Sequence, residues 1–174
     1  MEILKIATDW AKAELVSTSF FIAIGLAFVF ACFGFWQFGK TDLAKAYVIP
    51  LLVAGAFLMA AGIGLFFTNK SRISQFETAY HQDASAFVQS ELDRADATLK
   101  EYKTIVFTII PFIIVACGLG LYFLSGPIWR ASFVSTIAML SVILLIDGLA
   151  HARIAEYNEA LLKAQQELNQ ELKQ

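Results

Sequence analysis

Residues 15–39 read LVSTSFFIAIGLAFVFACFGFWQFG, a run without one charged side chain. It exceeds the roughly 18 residues at which a continuous apolar stretch reads as a membrane helix, because about 20 residues rising 1.5 Å each cross a bilayer core. Three further apolar runs follow, Ala46–Asn69, Thr104–Trp129 and Ala131–Ile146. Lipid offers the backbone no hydrogen-bond partner, so such runs have to close their bonds inside helices. The predicted fold class is all-α. It is a polytopic membrane protein with four transmembrane helices, a cytoplasmic helical hairpin between spans two and three, and a C-terminal amphipathic helix. The corresponding divisions are an interfacial N-terminal helix over 1–14, a transmembrane hairpin over 15–68, a cytoplasmic helical segment over 69–103, a second transmembrane hairpin over 104–150, and a cytoplasmic C-terminal helix over 151–174.

Composition agrees with this reading. A chain that is 58 % hydrophobic and only 16 % charged, with mean hydropathy +0.64, is too apolar for an ordinary soluble domain of its length. A net charge of −2 argues against nucleic acid as a partner, since phosphate binding needs a concentrated basic face. Cys32 and Cys117 lie inside apolar runs and read as small packing residues, not a disulfide.

Basic residues orient the chain. With the N-terminus inside, ten Lys and Arg fall in cytoplasmic pieces (Lys5, Lys12, Lys70, Arg72, Arg94, Lys100, Lys103, Arg153, Lys163, Lys173). Only Lys40, Lys45 and Arg130 fall outside. This positive-inside bias puts both termini in the cytoplasm of a bacterial inner membrane or its equivalent. The first 14 residues are no removable signal. Ile3, Leu4, Ala7, Trp10 and Ala11 fall at helical spacing, which suits either a helix on the membrane surface with Trp10 at headgroup level or an extension of the first span. The outer connections, Gly39–Lys45 and Ser125-Gly126-Pro127, are short, with Pro127 suited to a first helical position.

Two polar segments carry seams. Ser71 can cap a helix with Ile73, Phe76 and Tyr80 on one face, and Asp83 or Ser85 can start the next. There Val88, Leu92, Ala95, Leu99 and Tyr102 repeat at heptad spacing, as do Ile154, Tyr157, Leu161, Ala164 and Leu168 after the fourth span. These two seams are expected to pack on each other as a membrane-proximal bundle, intermolecular contact being the competing use. Val88, Leu92, Leu99, Ile154, Tyr157, Leu161 and Leu168 are the candidate interaction residues.

Within the spans, small residues recur every four positions: Ala23, Ala27 and Ala31, then Ala56, Ala60 and Gly64, then Ala116 and Gly120. Such rows let helices approach closely. Residues 61–67 (AGIGLFF) resemble 117–123 (CGLGLYF), a hint of internal repetition, and Pro50 and Pro111 can each kink a span. Ser132, Ser135, Thr136 and Ser141 can line a water path or bond back to their own helix.

Chemistry has few places to sit. Asp147 and His151 lie one turn apart, as do Glu77 and His81, with Glu91 a further carboxylate, and a carboxylate beside an imidazole can orient it for metal binding or proton transfer. These five are the candidate metal ligands, with Arg72 or Arg153 available as hydrogen-bond partners to them. No nucleophile elbow, Walker loop or dinucleotide fingerprint is present, and no cofactor is expected. The preferred expectation is a non-enzymatic accessory, scaffold or regulatory subunit that meets a protein partner, or itself, through its cytoplasmic helices. The alternatives are a homo-oligomeric channel or pore, and a metal-binding protein or enzyme built on the histidines.

Overall fold

In a computed structural model, which describes residues 2–171, four helices are long and apolar enough to cross a membrane. Met1 and residues 172–174, including Lys173 and the end of the expected C-terminal helix, lie outside the described residues. The first helix, α1, runs without a break over Glu2–Phe38. A short α2 (Asp42–Ala46), capped by the Thr41 hydroxyl accepting from the Ala44 amide, leads into α3 (Val48–Gln82). α4 (Ala84–Glu101) continues through a π-helical segment (Tyr102–Ile109) into α5 (Ile110–Phe123), and α6 covers Pro127–Glu171. Among the described residues there is no strand.

The helices have two differently built halves. At the polar end, α1, α3, α4 and α6 enclose one core of Ile3, Ala7, Trp10, Phe76, Phe87 and Val88 with Leu92, Ala95, Ile154, Tyr157 and Leu161. The two heptad seams therefore pack within one chain. Residues 2–14 belong to the same unbroken helix as the first apolar run, and their apolar face, Trp10 included, is buried in this bundle. Ser71 caps nothing, since α3 runs straight through it and its hydroxyl accepts from the Gln75 side chain. The break falls at Asp83, whose carboxylate accepts from the Ala86 amide.

The apolar half is inverted: large side chains such as Phe30, Phe112 and Tyr122 are 70–84 % exposed, which suits lipid and not water. Exposed Trp36, Tyr122 and Trp129 mark its far end, where amphipathic rings sit at a membrane interface. α1 and α3 pack tightly where Gly25 meets Gly55 and where Gly62 meets Phe21 and Ile22. α6 touches both, whereas α5 rests on α6 alone among the spans.

The alanine rows behave otherwise than expected. Ala23, Ala27, Ala31, Ala56, Ala60 and Gly64 are exposed, and the close approach uses Gly25 and Gly55, residues off those rows. The apparent repeat is not a structural one either. Gly62 makes the contact in its copy while Gly64 is open; in the other copy Gly118 is open and Gly120 lies against Phe133. The prolines also differ. Pro50 sits in the first turn of α3, where its missing N–H costs no helical bond. Pro111 follows the π segment, whose wider turns relieve the clash between a proline ring and the preceding turn. At its end the amide of the following residue, Ile110, donates to the Ile105 carbonyl, and within it the Thr108 hydroxyl donates to the Lys103 carbonyl at 2.9 Å.

Candidate functional site

The charged residues converge where the polar bundle meets the apolar half. On α1, Glu14 ends the polar stretch and Ser17 follows one turn later. Arg153 of α6 reaches both, with Nε donating to Glu14 Oε1 at 3.0 Å and an Nη to the Ser17 hydroxyl at 2.6 Å. Burial pushes the Glu14 carboxyl above its ordinary value, outweighing the opposing pull of Arg153.

One turn further out, Trp10 stacks on Tyr157, with ring centroids 5.1 Å apart and planes 8° from parallel. The Arg94 guanidinium lies 4.4 Å over the Trp10 ring and binds Glu91 through two hydrogen bonds. The Tyr157 hydroxyl donates to the same carboxylate at 2.9 Å, and burial, then the Glu91 charge, hold that phenol far above its ordinary pKa. Asn158 adds a bond to Asp96 at 2.6 Å. Tyr157, Glu91, Arg94 and Trp10 therefore act as one unit joining α1, α4 and α6. The indole N–H of Trp10 is buried without an acceptor.

Below this unit lies a cavity of about 340 Å³. Its polar wall carries Asn69 and Arg72 of α3, Arg94 and Glu101 of α4, Glu14 of α1 and Asp147 of α6; Phe21, Leu65, Ile105, Val106 and Ile146 line the rest. Arg72 donates to Asn69 Oδ1 at 2.9 Å. Burial, then repulsion from Arg94, lowers its pKa, and no carboxylate lies within ion-pair distance of it among the described residues. Tyr102, also on the wall, has its phenol pushed up by burial and then by the Asp147 charge.

The sequence-derived ligand candidates do not come together. Glu77 and His81 are exposed, and the His81 ring lies 5.8 Å from that of Tyr80. Glu91 is committed to Arg94 and Tyr157, Asp147 faces the cavity, and the His151 ring sits edge-on to Phe107 and Tyr102 at 5.0 and 5.8 Å. Among the described residues, no three His, Cys, Asp or Glu side chains form a metal-holding group. Arg153, expected as a partner for Asp147 or a histidine, is taken by Glu14. The candidate interaction residues Val88, Leu92, Ile154, Tyr157 and Leu161 are buried in the bundle core, while Leu99 and Leu168 are only partly buried against it and Leu168 also lines a groove at the bundle tip. Of the span-four hydroxyls, Ser135 is buried without a partner, Ser132 and Thr136 line a pocket with Ile49 and Pro50 of α3, and Ser141 is exposed.

Sequence reasoning passed over Trp10, Glu14 and Arg94 as members of a site. The available signals were the last charge before the first apolar run, at Glu14, and the i,i+3 spacing of Glu91 and Arg94. Comparison of the chain with protein-family models, with curated proteins and with solved structures finds no match.

Proposed function

We propose that this chain is a non-enzymatic integral membrane accessory or regulatory protein that docks a basic amphipathic helix of a partner at the tip of its polar bundle. In this reading the bundle lies in the cytoplasm, on the side to which the Lys and Arg bias assigns both termini, and the membrane is a bacterial inner membrane or its equivalent.

The observation that carries the reading is a groove of about 580 Å³ between the start of α1 and the end of α6. Ile3, Ile6, Ala160 and Ala164 give it an apolar floor. Glu2, Glu156, Glu159 and Glu167 rim it, with Lys163 the single base among its lining residues. An apolar strip between carboxylates suits a helix that offers Leu-like anchors at i, i+3 and i+4 flanked by Lys or Arg.

A photo-crosslinking residue placed at Ala164 in native membranes tests this, with one at exposed Asp93 on α4 as the control. The expected result is a partner adduct at position 164 that the double change Glu156→Lys and Glu159→Lys abolishes. Equal adducts at both positions, or none at 164, defeat the reading. An adduct of twice the chain's own mass replaces the partner with a second copy.

A further inference from the structure

The cavity at the junction is lined by a cation and a carboxylate that are engaged in no ion pair among the described residues. Of the ionised groups lining it, Glu14 is paired with Arg153 and Arg94 with Glu91, while Glu101 is exposed to solvent. That leaves Arg72 on α3 and Asp147 on α6. Both are partly buried, and neither has an ion-pair partner among the described residues. Beside Arg72, Asn69 is 4 % exposed; its carbonyl oxygen is used by Arg72, and its amide nitrogen makes no bond to another described residue. One side of the cavity thus offers N–H donors around a cation, and the other offers a carboxylate.

The cavity also has an apolar side. Leu65 of α3 and Ile105 of the π segment, both lining residues, are 46 % and 49 % exposed. α3 and the π segment do not pack on one another, and these two half-exposed apolar side chains border the cavity from either element. A volume of about 340 Å³ is at the small end of the roughly 300–1,000 Å³ range of ligand pockets, enough for a headgroup and not for whole acyl chains.

We infer that this cavity is a binding site for the zwitterionic headgroup of an amine-bearing phospholipid. The phosphate sits against Arg72 and the Asn69 amide, the ammonium against Asp147, and the acyl chains leave between Leu65 and Ile105. A purely anionic headgroup satisfies Arg72 but faces Asp147 with like charge. A choline headgroup supplies the cation without N–H donors for the carboxylate, since an ammonium has three and a quaternary amine none. The site is separate from the groove at the bundle tip, so either stands if the other falls.

Native mass spectrometry of the full chain in mild detergent reads the occupancy. Phosphatidylethanolamine, phosphatidylglycerol and phosphatidylcholine with identical chains are offered in equal amounts, and soluble glycerophosphoethanolamine in a separate arm. The expected result is one phosphatidylethanolamine per chain, retained about tenfold or more over the other two headgroups and over the soluble compound. Arg72→Gln is expected to lower retention of all three phospholipids by about tenfold. Asp147→Asn is expected to remove the preference for ethanolamine while leaving phosphate binding in place. Equal retention of the three headgroups by the unaltered protein overturns the assignment without need of any variant. Soluble glycerophosphoethanolamine bound as tightly as the lipid overturns its lipid source. Unchanged retention in a folded Arg72→Gln protein overturns the placement of the phosphate.

Discussion

Replacing Tyr157 with Phe tests whether the buried aromatic and charged unit holds the bundle together. Tyr157 is only 2 % exposed, its ring stacks on Trp10, and its hydroxyl donates to Glu91 at 2.9 Å. Phenylalanine keeps the ring and the stack and removes one oxygen. A hydrogen bond to a charged acceptor contributes about 1.5–3 kcal/mol. Arg94 continues to hold Glu91, so the carboxylate is not orphaned and the lower half of that range is expected. For a chain of this size each kcal/mol moves the melting point by about 2–4 °C, which gives a fall of roughly 3–12 °C over the full range. The assay is thermal unfolding in lipid nanodiscs, followed by far-ultraviolet circular dichroism at fixed pH. Glu91→Ala and the double variant complete a cycle, in which a coupling of about 1 kcal/mol or more is expected for directly bonded groups. A shift below about 1 °C, or additive single effects, would refute the view that Tyr157 and Glu91 act together.

Other changes separate the packing elements. Leu161→Ala, at a position with no exposed surface, should destabilise the bundle by about 2–5 kcal/mol in the same melting assay. Gly55→Ala puts a methyl 2.8 Å from the Gly25 carbonyl oxygen, where no rotamer relieves the clash. It should cost about 1–3 kcal/mol, while Gly64→Ala, with open space around it, should be neutral within about 0.5 kcal/mol. Glu14 gives a pH signature. Its folded carboxyl lies above the ordinary 4.5, so its contribution to stability is fully present below that value and is lost as pH rises through the folded one. Melting points of the unaltered protein and Glu14→Gln from about pH 4.5 to neutrality should differ by this slope, and parallel curves would contradict it. Pro111→Ala restores a backbone donor just after the π segment and should tighten it toward an α-helix, read as slower amide hydrogen exchange over residues 102–109.

The sequence carried the helices because the apolar runs and heptad seams are local patterns with a fixed period. Val88, Leu92, Ile154 and Leu161 announced a buried face, and that face is buried. Which small residues touch was not legible. Ala23, Ala27 and Ala31 repeat at the same spacing as a packing row, yet face outward, because in lipid an apolar face gains nothing by being buried and periodicity alone selects no face. Capping fared similarly: Ser71 and Asp83 both have capping side chains, and only Asp83 stands where the chain turns. The charged cluster was the hardest to see. Glu14 and Arg153 lie far apart in sequence, and only the docking of α1 on α6 brings them within 3.0 Å. Isolated i,i+4 pairs such as Glu77 and His81 looked chemical because they are visible in one helix, whereas the groups that interact most are joined across three.

The placement of the cavity follows from two demands on the same helices. The seam of α4 requires close packing against α6 to the end of the polar bundle, at Leu99 and Tyr102. Immediately afterwards the chain must pass Pro111, which cannot join an α-helical ladder, and the wider π turns accommodate it. Beyond that point α5 keeps its contact with α6 and has none with α1 or α3. The four helices are therefore closed above the π segment and open beside it, and the opening begins where the last charged side chains sit. A bundle closed along its whole length would have had to pair Arg72 and Asp147 with each other or dispense with them, because an unpaired ion in a dry interior costs several kcal/mol. Keeping both, out of any ion pair, beside a gap between α3 and the π segment is tolerable only where polar groups from outside the chain can reach them. Water and lipid headgroups both meet that condition at a membrane surface, and the retention of one headgroup over another is what tells them apart.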